Sequence, residues 1–409
     1  MVSSVVRDPV VPEISMRPRR RWATNLALAF VSIILGLVVL AGGGEIAARY
    51  RERHRTSAPG TMPLLFYRHM RLRHALERNA DYFGWVHTNA AGFRGTRPTT
   101  IAHDGILRIM VVGGSTTFDG ALSDDRTWPA RLEYYLQRLV PGRRLEVVNA
   151  GVPGYGLVDN LIRLETELYQ YQPDVILYYE AHNDLIGALR SAVDHPPPTD
   201  TPDAIAPLAS WRYWLSRQSL LYTKIAERLA AIRWRGVGNR ARPPNPEDWA
   251  AAIDRGSGSY ARNLTTFIAV ARRFGIRIGV AEVTYAHLPG ATPQADVDAR
   301  ARWRITVPFA SPETVMQAYA RFNAVIDSVA MTQKVPLVRT AAFGLDSLDG
   351  YESGDPMHFN GTGADRMAAH MAEALLATGL MTGTARPSSE QDQHDRLGDA
   401  RRGASAQNP

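Results

Sequence analysis

From Trp22 to Gly44 the chain runs 23 residues without a charge, WATNLALAFVSIILGLVVLAGGG. As a helix rising 1.5 Å per residue, this stretch reaches about 34 Å, enough for the hydrocarbon core of a bilayer. It is apolar on every face and fenced by arginines, which favours a membrane span over a buried core helix, and it is too long for the apolar part of a cleaved signal peptide. Beyond it the pattern changes to continuous apolar runs separated by helical stripes. Leu107–Val112 (LRIMVV), ending in Gly113-Gly114, has the look of a strand buried on both faces. Thr127–Val140 follows with Trp128, Leu132, Tyr135, Leu136 and Leu139 on one helical face. Then come a strand at Leu145–Asn149, a helix through Leu157, Leu161, Leu164 and Leu168, and a strand at Asp174–Tyr179. After an interruption the pattern resumes with a helix at 260–274, a strand at Arg277–Val283, a helix at 313–331, a strand at Val335–Arg339 and a last helix at 362–379.

Strands joined by helices through short connections imply right-handed crossovers in a parallel sheet. The expected fold is therefore α/β: a doubly wound, flavodoxin-like parallel sheet with helices on both faces, preceded by one N-terminal transmembrane helix. The expected organisation is a cytoplasmic tail at 1–21, the span at 22–44, a charged juxtamembrane linker at 45–60 ending in TSAPG, a body at 61–383, and a tail at 384–409 that lacks apolar periodicity and is expected to be disordered. Within the body, DHPPPTDTPD and ARPPNPED bracket an insertion at about 187–258 that carries Trp211, Tyr213, Trp214, Tyr222 and Trp234. No internal repeat is present.

Composition narrows the classes. With 409 residues, 45% hydrophobic and 21% charged, the chain has ordinary globular make-up and room for a core, which excludes a wholly disordered, collagen-like or polytopic membrane protein. The absence of cysteine excludes a disulfide scaffold, a Cys-ligated zinc site, an iron–sulfur cluster and a thiol nucleophile. The net charge of +7 comes almost entirely from arginine, since lysine occurs only at Lys224 and Lys334, and these arginines are scattered among 40 acids. No nucleic-acid partner is expected from that distribution. Arg17, Arg19, Arg20 and Arg21 before the span balance Arg49, Arg51, Arg53 and Arg55 after it, so the positive-inside count is tied. Long domains translocate largely regardless of local charge, which leaves the short tail in the cytoplasm and the body outside it.

In a doubly wound sheet, ligands bind beyond the carboxyl ends of the strands. The loop after the first strand, VVGGSTTFD, turns sharply at two glycines and lifts Ser115 to the start of the next segment. Ser115 reads either as a nucleophile or as a helix cap near an anion-attracting turn; no Walker loop is present. The loop after the second strand, NAGVPGYG at 149–156, has backbone N–H groups suited to an oxyanion, or is simply a turn. The third, EAHND at 180–184, offers the Asn183 amide as a neutral oxyanion donor, with His182 beside it; Asn and Asp also cap helices. Far downstream, DPMHFNGTG at 355–363 places Asp355 three residues before His358, a spacing that lets a carboxylate accept from Nδ1 while Nε2 stays free to take a proton.

The four segments, in this order, resemble the SGNH hydrolase family, the GDSL-type esterases and lipases, over about residues 105–380. The resemblance implies Ser115 as nucleophile, His358 as general base and then acid, and Asp355 as the group that orients His358. It also implies an oxyanion hole of the Ser115 and Gly154 backbone N–H groups and the Asn183 side-chain amide. Two positions depart from the family pattern: G-D-S becomes G-G-S, with Gly114 where Asp is usual, and G-x-N-D becomes A-H-N-D, with Ala181 for Gly.

The implied reaction is acyl transfer through a Ser-His-Asp triad, needing no cofactor or metal. A tethered catalytic domain facing the envelope meets glycan or lipid, which favours a serine esterase that removes acyl groups, foremost O-acetyl, from an envelope glycan. His182, Trp211 and Trp214 are candidate substrate contacts; the aromatic insertion reads as a lid that stacks on sugars or dips into lipid, or as its own small core. The expected partners are the bilayer through 22–44, an acylated glycan or lipid, and envelope polysaccharide machinery. Alternatives are an O-acyltransferase with the same site, a non-catalytic polysaccharide assembly module, and a metal-assisted phosphoesterase using Asp119, His182, Asp184, Asp355 and His358. FGWVHTNAAGFRG at 83–95 either borders the site or packs the sheet edge.

Overall fold

The computed structural model of the chain describes residues 18–55, 66–67, 72, 74–82, 84–101, 105–194, 219, 221–222, 225, 244–286, 300–303, 307–340 and 348–382. The chain divides into two compact units, Met1–Thr61 with Ala209–Ile232, and Met62–Leu208 with Arg233–Pro409. The candidate contacts Trp211 and Trp214, the tail from 384 onward and most of the expected insertion lie outside the described residues.

In the first unit one helix, α1 (Pro18–Arg55), runs for 38 residues. Its stretch Asn25–Ala47 is long and apolar enough to cross a membrane, and none of it is buried. Leu28, Phe30, Val31, Ile33, Leu37 and Val39 all stand exposed. The helix continues into the stretch expected as a linker, because Glu-Ile-Ala-Ala-Arg and the arginines after it are mostly good helix formers with no breaker among them. Near its apolar end, Glu45 accepts hydrogen bonds from Oγ of Ser219 at 2.8 Å and from the N–H of Leu221 at 2.9 Å. The N–H of Tyr222 donates to Oγ of Ser219 at 3.0 Å, so two side chains satisfy the first N–H groups of a helical turn.

The second unit opens with two short antiparallel ladders, β1 (Phe66–Tyr67) with β2 (Ala75–Leu76) and β3 (Asp81–Tyr82) with β4 (Val86–His87). A five-stranded parallel sheet follows: β5 (Leu107–Gly113), β6 (Leu145–Asn149), β7 (Val175–Tyr179), β8 (Arg277–Ala281) and β9 (Leu337–Val338), in the order β6-β5-β7-β8-β9. Every residue of β5 and β7 is buried, as a strand covered on both faces requires. The helices are α2 (Ser115–Phe118), α3 (Trp128–Leu139), α4 (Leu157–Thr166), α5 (His182–Asp194), α6 (Pro246–Arg273), α7 (Pro312–Gln333) and α8 (Gly361–Ala377). Helix α8 packs on α3, while α6 packs on α4, α5 and α7, which covers the sheet on its two faces.

This strand order is the flavodoxin-like one, and it fixes where a ligand fits. The chain leaves β5 for the edge strand β6, then returns past β5 to β7. The loops after β5 and β6 therefore diverge, and a crevice opens at the carboxyl ends of these strands. The segment at 83–95 packs the sheet edge: the N–H of Arg94 donates to the Asn149 carbonyl at 3.1 Å, beside β6.

The helices flanking the interruption reach further into it than the periodicity suggests. Helix α6 begins at Pro246 rather than near 260, because Asn245 and Asp248 cap each other's backbone N–H groups (2.8 and 2.9 Å) and Pro246 sits in the first turn. Its first half packs closely instead of presenting a large apolar stripe: a side chain at Gly256 would overlap Cβ of Ala188 on α5.

Leu177, at the centre of β7 and fully buried, should cost about 2–5 kcal/mol when replaced by alanine. Leu139, 48% exposed on α3, should cost about 0.5 kcal/mol or less. Denaturant unfolding of the full chain in detergent measures both, and equal costs would contradict the placement of β7 at the core.

Candidate active site

Strand β5 delivers Ser115 to the crevice. Gly113 has no room for a side chain, since a Cβ there would overlap Oγ1 of Thr117 and the Tyr179 carbonyl. Ser115 opens α2 and is half-buried. A helix of four residues cannot satisfy its own carbonyls, and side chains from elsewhere do so. The indole N–H of Trp128 donates to the Thr116 carbonyl at 2.9 Å, and Nδ2 of Asn149 to the Thr117 carbonyl at 3.0 Å. The Arg94 guanidinium donates to the carbonyls of Phe118 (3.3 Å) and Leu122 (2.7 Å), lies over the Phe118 ring and pairs with Asp124.

The other half of the site lies just before α8. Oδ1 of Asp355 accepts the N–H groups of Met357 (2.7 Å) and His358 (3.0 Å), which closes a tight turn. Oδ2 of Asp355 is 2.8 Å from Nδ1 of His358, and Nε2 of His358 is 2.8 Å from Oγ of Ser115. An ionised carboxylate only accepts, so Nδ1 carries the proton and Nε2 faces the serine hydroxyl with its lone pair. The turn is anchored on both sides: Tyr351 bridges to Phe359, the Ala286 N–H donates to the Pro356 carbonyl at 2.8 Å, and Asn360 caps α8 through Thr362 and Gly363.

Burial lowers the pKa of His358, but the hydrogen bond and charge of Asp355, backed by Asp119 and Glu352, outweigh it and hold the imidazole above its ordinary value. Burial raises the Asp355 carboxyl, yet the hydrogen bond and charge of His358 and the two backbone N–H groups keep it below the usual range. The pair therefore favours the state in which His358 holds a proton against a carboxylate.

The two remaining candidates, Gly154 and Asn183, follow β6 and β7. Gly154 has φ +80, in the left-handed region that favours glycine, with the His74 ring against it. His74 is itself held by the Pro153 carbonyl, 2.8 Å from its Nε2. The Asn183 amide donates to the Tyr155 carbonyl at 2.9 Å, which leaves a second amide N–H, and its nitrogen stands 2.7 Å from where a Cβ on Gly114 would be. The loops after β6 and β7 are tied together by Asp184, whose Oδ2 accepts the Leu157 N–H at 2.8 Å at the start of α4.

His182 is buried, with Nδ1 2.6 Å from the Tyr319 hydroxyl, and its Nε2 has no hydrogen-bond partner among the described residues. Burial and the charge of His358 lower its pKa to about 3, so it stays neutral. Asp119 ends α2 with φ 59 and is buried, and its Oδ2 is also unpartnered among the described residues. Burial pushes its carboxyl up to about 8 against the pull of His358 and Arg94. Among the described residues, no three carboxylates or imidazoles gather to hold a metal ion, because Asp184 caps α4 and His182 bonds Tyr319.

Sequence reasoning missed Arg94 and Glu180. The signal for Arg94 was slight, a lone cation in the Gly-rich segment beside β6. Glu180, directly before Ala181-His182-Asn183, is buried with its Oε1 accepting the Asn183 N–H at 2.7 Å, and burial pushes its carboxyl up to about 8.

A model of the GDSL-like Lipase/Acylhydrolase family matches residues 111–366. Among solved structures, TesA is 16% identical, with a TM-score of 0.39 and coverage of 66% of this chain and 99% of that one. LAE5, an alpha/beta hydrolase enzyme from the metagenome of Lake Arreo, is 16% identical, with a TM-score of 0.36 and coverage of 69% and 99%. Axe2, an acetylxylan esterase from Geobacillus stearothermophilus, is 14% identical, with a TM-score of 0.38 and coverage of 70% and 99%. No curated protein matches the sequence.

The buried acids make stability depend on pH. Asp119 and Glu180 hold their protons up to about pH 8, and the His358 value lies above 6.5, so between 6.5 and 8 the folded chain binds more protons than the unfolded one. Stability then falls as pH rises through that window; His182, neutral when folded, opposes it only near pH 6.5, where the unfolded imidazole is still part-protonated. The thermal midpoint should fall from pH 6.5 to 8, and Asp119→Asn should flatten the fall. A midpoint that climbs across this range would contradict the protonated burial of Asp119.

Proposed function

The chain belongs to the GDSL-like lipase/acylhydrolase family and is a carboxylic ester hydrolase, and from that premise we propose a membrane-anchored serine esterase that removes acyl groups, foremost O-acetyl groups, from an envelope glycan. The observation that carries the proposal is the unbroken relay from Ser115 through His358 to Asp355, with 2.8 Å at both joints.

In the proposed reaction Oγ of Ser115 attacks the ester carbonyl carbon while Nε2 of His358 takes its proton, and the carbonyl electron pair moves onto oxygen. The backbone N–H groups of Ser115 and Gly154 and the Asn183 amide donate to that oxyanion. His358 returns the proton to the leaving alcohol, and the acyl group stays on Ser115. Water then attacks the acyl-serine with the same base, releasing the carboxylic acid and restoring the serine. His182 and the aromatic residues Trp211 and Trp214 are proposed as contacts to the alcohol portion.

Residues 61–383 form the catalytic domain in this proposal, with the tail at 1–21 in the cytoplasm and the catalytic domain outside it. Support comes from the apolar, unburied stretch Asn25–Ala47, whose exposed side chains suit lipid better than water. Tethering at that place brings the esterase to substrates fixed in the envelope, such as an O-acetylated glycan. A reporter fused after Pro409 should be active only outside the cytoplasm; activity inside would reverse the orientation.

Hydrolysis of p-nitrophenyl acetate by the full chain in detergent tests the site. Ser115→Ala and His358→Ala should abolish release, and Asn183→Ala should lower turnover about a hundredfold or more. The acid limb of kcat/KM should lie above pH 6.5, because His358 must be neutral to act as base and its pKa is raised; Asp355→Asn should move the limb to lower pH. Activity that survives Ser115→Ala would overturn the serine mechanism.

A further inference from the structure

In the G-G-S turn no carboxylate is available at position 114, yet the place beside it is not empty. A Cβ on Gly114 would overlap Oε2 of Glu180, so the buried Glu180 carboxyl lies against the Gly114 backbone from the end of β7. Its Oε1 accepts the Asn183 N–H at 2.7 Å, while its Oε2 has no hydrogen bond of good geometry among the described residues. The N–H groups of Gly114 and Asn183 and the Asn183 amide act on the carboxyl as donors, against the charge of Asp184. The Glu180 carbonyl is also fixed, by the Tyr260 hydroxyl of α6 at 2.6 Å. Any side chain at 114 would displace this arrangement, which gives a physical reason for glycine at a position where φ is negative and glycine is not otherwise needed.

We propose that Glu180 is a positioning residue for the oxyanion hole, supplying from β7 the carboxyl that the serine turn lacks and holding the Asn183 amide beside the Gly114–Ser115 peptide. This rests on the proposed role of Asn183 as an oxyanion donor. Glu180 touches no reacting atom; it acts by setting the approach of α5, whose first turn carries Asn183, toward the serine turn. Burial is the larger effect and, with the charge of Asp184, pushes the carboxyl up to about 8, while the N–H groups of Asn183 and Gly114 pull the other way and tie it to the serine turn. A buried acid used only to cap α5 would need Oε1 alone; placement of Oε2 against Gly114 links the cap to the nucleophile.

A double-mutant cycle separates positioning from a general structural role, read as kcat and KM for p-nitrophenyl acetate with the full chain in detergent. Read at pH 9, above the value of about 8 to which burial pushes the Glu180 carboxyl, Glu180→Gln keeps the size and the Oε1 acceptor but replaces the ionised Oε2 with an amide N–H turned toward the surrounding donors. It should lower kcat about tenfold with KM changed less than about twofold, and lower kcat less than about twofold when Asn183 is already alanine. As a second measurement, Glu180→Ala should lose kcat at least about tenfold, and Gly114→Asp added to it should restore at least about fivefold, whereas Gly114→Asp alone should lower kcat because two carboxyls then compete for one space. An equal loss from Glu180→Gln in both Asn183 backgrounds, an unchanged kcat, or no recovery in the Gly114→Asp/Glu180→Ala chain overturns the positioning role. Ser115→Ala measured alongside keeps the two levels apart: activity that survives it removes the serine mechanism itself, whereas its abolition together with a neutral Glu180→Gln removes only the present inference.

Discussion

Oγ of Ser115 and Nε2 of His358 stand 2.8 Å apart although 243 positions separate them in the chain, and the second unit can be understood as what holds that distance. The serine end is fixed by β5, a central strand buried throughout. The histidine end is fixed by the Asp355 turn and by the Asn360 cap of α8. These two ends meet again through α3 and α8, which pack together and share Asp365, bonded at 2.7 Å by both Arg131 and Tyr135. Trp128, at the start of α3, completes the circuit by holding the Thr116 carbonyl of the serine turn. A shift of α8 relative to α3 would therefore reach the Ser115–His358 contact.

The ionisable groups around this contact divide by burial. His358 and Asp355 are partly exposed and bind each other, and their pKa values move apart in the directions of a charged pair. Asp119, Glu180 and His182 are buried, and burial drives all three toward their neutral forms. At neutral pH the charge of these groups thus sits at the His–Asp joint, while the adjoining buried groups stay neutral. The cost appears as unpartnered atoms on all three buried residues and a left-handed backbone at Asp119. Such features lower stability locally, and they cluster within the three residues on either side of the serine and asparagine turns or at their ends.

Much of this was legible in the sequence, for identifiable reasons. Strands β5, β6 and β7 show as apolar runs because a parallel sheet buries both faces, and the D-x-x-H relay shows because its first joint spans three residues. The edge strand β9 pairs over only Leu337–Val338, so the longer apolar run there overstated it. The early start of α6 was hidden because Gly256 and small neighbours replace a wide apolar stripe with close packing on Ala188. Glu180 and Arg94 escaped for a different reason: each acts across a gap in sequence, on Gly114 and on the carbonyls of Phe118 and Leu122, and no local spacing announces such contacts. The substitution of Gly for Asp at 114 was visible, but its compensation could be seen only in three dimensions.

The first unit poses the opposite physical problem. The second unit hides its apolar side chains in one sheet and its helices, while α1 leaves Leu28, Phe30, Ile33 and Leu37 bare. Glu45 falls inside the apolar stretch Asn25–Ala47, close to its end, where an unpaired carboxylate facing lipid would be costly. Its Oε2 instead accepts from Ser219 and Leu221, so these residues supply hydrogen bonds that water supplies elsewhere. Under the proposed anchoring, this pairing keeps the residues around Ser219 at the level of the membrane boundary.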